Sequence, residues 1–142
     1  MGTPLQHVYD RFFSKIDEDL TGKEGQIFSL LDSAISKSYK AVVHSLHYIL
    51  DDPIPPETES YDGNFIDILD SDEIELLSLW MLYEWNRKKQ QKLRGQRTQI
   101  GTKDFNKIED KAKELKEVTG IMKDIKEEID ELKNEFNTYK YK

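Results

Sequence analysis

The chain has 142 residues, a formal net charge of −7 and no cysteine. Its length fits one domain with an appended element, or one elongated domain. The missing cysteine excludes disulfides, thiolate zinc sites and cysteine nucleophiles, and the negative balance argues against simple coating of nucleic acid. No stretch reaches the roughly 18 uncharged apolar residues that span a membrane. The first residues carry no apolar run of the signal-peptide kind, so a soluble intracellular product or a virion component, without a membrane partner, is expected.

Charge is distributed in blocks. Ten acidic residues and no Lys or Arg lie between Asp51 and Glu75, whereas seven basic residues and no Asp or Glu lie between Arg87 and Lys103. The two blocks flank an apolar segment.

In chain order, Thr3-Pro4-Leu5-Gln6 reads as a helix start, with Thr3 as cap, Pro4 at the first helical position and Gln6 completing a capping box. Leu5, Val8, Tyr9, Phe12, Phe13 and Ile16 then form an apolar face. Thr21-Gly22-Lys23-Glu24-Gly25 breaks the chain, and a second helix is expected from about Gln26 to Ala41. The stretch Tyr39 to Leu50 either continues that helix or bends away. Pro53, Pro55, Pro56 and Gly63 predict an acidic, proline-rich loop over 51–64. Asp70-Ser71-Asp72-Glu73 is a helix N-terminus, with Glu73 three residues after Asp70 and carboxylates at the positive dipole end. From Ile74 to Trp85 the third helix is apolar almost all round, so it is expected to be central. Arg87 to Thr102 reads as a basic polar loop with Gly95 and Gly101 as breakers.

The last segment, 103–139, reads as one long charged helix, with Thr102 or Asp104 as cap. Leu115, Val118, Met122, Ile125, Ile129, Leu132, Phe136 and Tyr139 follow 3–4 spacing, with Ile108 in phase upstream. That heptad-like stripe is narrower than an ordinary globular face and demands a partner. Such a helix would reach roughly 50 Å. Gly120 falls off the stripe. No strand alternation is evident. The sequence thus predicts an all-α chain, with a small helical bundle of about three helices over 1–102, a basic loop, and a long C-terminal heptad-patterned helix over 103–142.

Candidate sites are few. His44 and His47, with Asp51 and Asp52 behind them, have the minimum spacing of a metal pair, but ordinary histidines explain them better and no HExxH accompanies them. Asp67, Asp70, Asp72, Glu73 and Glu75 are better explained by capping and solvation than by metal or acid–base chemistry, and the calcium-loop pattern is missing. No metal, cofactor or catalytic residue is assigned, and no nucleophile motif points to an enzyme. The basic residues Arg87, Lys88, Lys89, Lys92, Arg94, Arg97 and Lys103 are a candidate subunit interface or DNA-channel lining. The seam Leu115 to Tyr139 is a candidate docking surface, and Trp80 and Trp85 are candidate apolar anchors.

The order of features resembles the small head–tail connector proteins (adaptor or neck proteins) of tailed bacteriophages. The carrying stretches are Tyr9-Asp10-Arg11-Phe12-Phe13-Ser14-Lys15-Ile16, then Leu30-Leu31-Asp32-Ser33-Ala34-Ile35-Ser36-Lys37. The capped helix from Asp70 to Asn86, ending Tyr83-Glu84-Trp85-Asn86-Arg87, follows, and last comes Thr102-Lys103-Asp104-Phe105 before the charged helix. The resemblance implies a non-enzymatic virion protein whose copies form a ring, commonly of about twelve, under the portal protein. It also implies that the ring extends the DNA channel, carries packaged DNA without sequence-specific binding, and offers a platform to a downstream neck or tail protein. By the same resemblance, residues 103–142 become an arm that docks on the portal. The rival reading is a coiled-coil regulatory module that binds nucleic acid or protein through the basic loop 87–103. A third is an enzyme built on the Asp67–Glu75 carboxylates.

Overall fold

The computed structural model describes residues 2–53, 58, 60–99 and 105–140, with the backbone alone at 97–99, 105 and 138–140. The described chain runs α1 (Leu5–Phe13), α2 (Glu24–Ser38), β1 (Tyr48–Leu50), β2 (Gly63–Phe65), α3 (Ser71–Gln99) and α4 (Phe105–Lys140). It is mostly helical and all-α in class, with one small two-stranded sheet. No described helix is long and apolar enough to cross a membrane.

Helix α3 is the axis, packed by α1, α2 and α4. Its all-round apolar stretch explains this position: Leu76, Leu77, Leu79, Trp80 and Met81 are all buried. Helix α1 contributes Leu5, Val8, Tyr9 and Phe12, and α2 contributes Ile27, Leu30, Leu31 and Ala34. Ile125, Ile129 and Phe136 of α4 join the same apolar cluster. The long helix therefore folds back along α3 and shares one core with 1–102.

Three local expectations are corrected. The basic segment is not a loop, because α3 continues through Arg87, Lys88, Lys89, Lys92 and Arg94 to Gln99. Arg, Lys, Gln and Leu are all good helix formers, and the single Gly95 costs only about 1 kcal/mol relative to Ala. Lys103, with Gly101, Thr102 and Asp104, lies outside the described residues. Thr3 does not cap α1, whose N-cap is Pro4 without a side-chain bond. Instead the Thr3 hydroxyl accepts from the Leu69 N–H at 2.8 Å, and the Thr3 carbonyl accepts from the Phe65 N–H at 2.7 Å. Lastly, the stretch around the proline-rich loop forms a hairpin. Strands β1 and β2 pair antiparallel, with Tyr48 opposite Phe65, Ile49 opposite Asn64 and Leu50 opposite Gly63.

Gly22 and Gly63 are both held to glycine by geometry. Gly22 has φ +83°, in the left-handed region that L side chains avoid. Gly63 sits so close to β1 that an added Cβ would lie 2.2 Å from the Ile49 carbonyl oxygen, whereas one on Gly95 would meet nothing within 4 Å. Gly63→Ala is therefore expected to destabilise the chain by about 1–3 kcal/mol. Gly95→Ala, in an open helical position, should stabilise it by up to about 1 kcal/mol. Thermal unfolding followed by circular dichroism reads both, and equal effects would contradict the hairpin register.

Candidate functional site

The densest polar arrangement surrounds Glu73 in the first turn of α3. The sequence marks it as half of a capping box, and it does receive the Asp70 N–H, at 2.9 Å to Oε1. The structure adds a second function that local sequence does not show. Glu73 is fully buried, and its Oε2 accepts the His44 N–H at 3.0 Å while Oε1 pairs with His44 Nδ1 at 2.5 Å. Asp67 extends the staple, its Oδ2 accepting the Ser45 N–H at 2.7 Å. Two carboxyl groups thus fasten the loop between α2 and β1 onto the start of α3, satisfying backbone donors that helix and loop geometry leave open.

His44, Asp70 and Glu73 offer ligand atoms within 4.8 Å of one another. Glu73 Oε1 already takes two donors, however, so the hydrogen bonds account for the cluster. The histidine pair expected from spacing separates: His44 turns to Glu73, while His47 is exposed on the hairpin, where its carbonyl accepts the Ile66 N–H at 2.9 Å. The remaining carboxylates disperse. Asp72 is exposed, and Glu75 binds Arg11 at 2.7 Å and Lys15 at 2.5 Å. Burial pushes the Glu75 carboxyl up, but the hydrogen bonds from Lys15 and Arg11 outweigh it and hold the group below its ordinary value.

The hydrogen bond to Glu73 raises the His44 pKa, against a smaller opposing effect of burial. A raised folded-state value means that the protonated ring favours folding. This contribution is complete below the ordinary histidine value of about 6.5 and is lost as pH rises through the folded value. The urea midpoint is expected to fall over that rise, and His44→Gln should flatten the profile; an unchanged slope in the variant would contradict the pairing.

The basic residues lie on the second half of α3. Arg87, Lys88, Lys92 and Arg94 are exposed there; the side chain of Arg97 is not described. Lys89 is drawn inward, its Nζ 3.7 Å from the centroid of the Trp85 ring and 3.0 Å from Glu18. The two tryptophans are packed within the chain. Trp80 is buried, with Lys37, Lys126 and Lys133 over its ring at 4.9, 5.1 and 5.2 Å. Half-buried Trp85 meets Phe12 edge-on at 6.4 Å.

The expected docking seam is largely occupied. Met122, Ile125, Ile129 and Phe136 are buried, and Leu115, Val118 and Leu132 are half-buried; the Tyr139 side chain is not described. Helix α3 supplies the partner that the heptad spacing demands, and Gln90 Nε2 donates to Thr119 Oγ1 at 3.0 Å across the pair. Gly120 faces open space, as its position off the stripe predicts.

Two surface features escape sequence reading. One is a cleft of about 900 Å³ between α1, the start of α2 and the hairpin loop. Tyr9, Phe13, Ile27 and Tyr61 line it together with Glu18, Asp19, Glu24, Asp51, Asp52 and Asp62, and no Lys, Arg or His is among its lining residues. Burial, with a smaller effect of Asp62, pushes the Tyr9 phenol well above its ordinary value, and its hydroxyl donates to the Tyr61 carbonyl at 2.8 Å. That hydroxyl is therefore a packing donor rather than a proton-transfer group at neutral pH. The other feature is the outward face of the hairpin. Tyr48 and Phe65 turn towards the core, so the alternation turns Ile49 and Ile66 outward, and Ile68 follows. These three are 67%, 55% and 69% exposed. The signal available in the sequence was the two-residue spacing of Ile66 and Ile68 between Phe65 and Leu69, but the run is too short to separate from a loop.

No protein-family model matches the chain, and neither a curated protein nor a solved structure matches it.

Proposed function

We propose that this chain is a non-enzymatic, ring-forming structural protein: a head–tail adaptor of a tailed bacteriophage, as its sequence resemblance implies. Copies would sit under the portal protein, extend the DNA channel and carry the next neck or tail protein. The observation that carries this reading is the polarity of the fold. Asp67, Asp70 and Asp72 gather at the N-terminal end of α3, and the exposed cations Lys88, Lys92 and Arg94 gather roughly 30 Å further along the same helix. Two unlike, complementary faces on one subunit suit head-to-tail contacts, which close into rings when the rotation allows. Helix α4, packed on α3, stiffens the subunit in this reading, and docking on the portal uses surfaces other than the buried Met122, Ile125, Ile129 and Phe136.

The exposed cations Lys88, Lys92 and Arg94 along one helix favour a second reading, a nucleic-acid-binding module. Negative-stain imaging of the purified chain separates the two. Closed rings of about a dozen copies support the adaptor. Isolated particles that bind DNA with steep salt dependence would replace it with the module.

A further inference from the structure

We infer that the outward aliphatic face of the hairpin is a docking surface for the basic half of α3 in a second copy of this chain. This rests on the ring reading above and specifies its contact. Ile49, Ile66 and Ile68 are three β-branched side chains exposed together, a pattern that marks an interaction surface rather than a solvated strand. Carboxylates flank them at both ends of the hairpin, with exposed Asp51 and Asp62 towards its loop and Asp67 and exposed Asp70 towards α3. The chain has no Lys or Arg from 51 to 75, so no cation on this segment answers them.

The fitting occupant joins aliphatic stems to cationic heads. Lys and Arg side chains do this: their methylenes cover apolar surface while the charged ends reach past it. Lys88 and Lys92, one turn apart on α3, present such side chains on one exposed face. Within one chain Asp67 and Asp70 do not meet these cations, because roughly 27 Å of helix runs from the start of α3 to Lys88. Two hairpins facing each other would set carboxylates against carboxylates, which disfavours a two-fold contact. The complementary arrangement is head-to-tail, and its charge pairs would set register and association rate.

A charge-swap mixing experiment tests this. One variant carries Lys88→Glu and Lys92→Glu; the other carries Asp51→Lys and Asp62→Lys. Circular dichroism first establishes that both fold, as changes at exposed positions should allow. Each variant alone is expected to lose assembly and sediment as a single chain, because like charges then face each other at every contact. An equimolar mixture is expected to regain the wild-type assembled mass, since every alternating contact is again complementary. If the wild type assembles and both variants assemble equally well alone, this interface is overturned while the ring reading stands. Variants that lose assembly without rescue on mixing also overturn the pairing. A wild-type chain that stays monomeric overturns both the interface and the ring reading.

Discussion

Glu73→Ala is expected to destabilise the protein by about 2–4 kcal/mol, a large loss for one residue in the first turn of a helix. An ordinary N-terminal capping residue contributes about 1 kcal/mol. Glu73 does more, because its fully buried carboxyl takes the Asp70 N–H, the His44 N–H and the His44 ring at once. Removing it leaves those donors without their acceptor and opens the seam between the α2–β1 loop and α3. Glu73→Gln keeps the shape but replaces an acceptor with a donor, so its loss should be intermediate. Urea unfolding with a check on the slope measures both variants. A loss below about 0.5 kcal/mol for the alanine variant would mean that the node is solvated and replaceable.

Ile129→Ala is expected to cost about 2–5 kcal/mol through lost burial and the cavity left behind. Ile129 is fully buried and belongs to the cluster that joins α4 to the rest of the chain. Ile121, eight residues earlier on the same helix, is 48% exposed, so Ile121→Ala should change stability by less than about 0.5 kcal/mol. The pair of substitutions distinguishes a helix packed on α3 from a projecting arm. Hydrogen exchange adds a local reading: Ile129→Ala should loosen α4 amides first, while those of α1 and α2 remain protected. Equal, small effects of the two substitutions would contradict the folded-back helix.

The helices were legible where pattern and punctuation agreed. The apolar face of α1, the second helix, and the Asp70–Glu73 start of α3 all follow from spacing and cap chemistry. The end of α3 did not, because Gly95 and a run without apolar periodicity resemble a loop; helix propensity and the packed neighbour α4 carry the helix through to Gln99. The seam from Leu115 to Tyr139 announced that it must be buried, but periodicity does not name its partner, which proved to be α3. Strands of three residues offer too few positions for alternation, so the hairpin and its exposed isoleucines stayed hidden. The tie between His44 and Glu73 spans 29 positions, beyond any local rule. At the candidate surface, the opposed charge blocks were visible in the sequence; the aliphatic face between the carboxylates required the fold.

If unlike faces on one rigid subunit drive assembly, the oligomeric state must depend on both concentration and salt. Sedimentation velocity of the wild-type chain, across concentration at low and high salt, tests it most directly. Concentration-dependent growth past the dimer into one closed species is expected, weakened by added salt as exposed charge pairs are screened. A monomer at every concentration, or a dimer indifferent to salt, would contradict it.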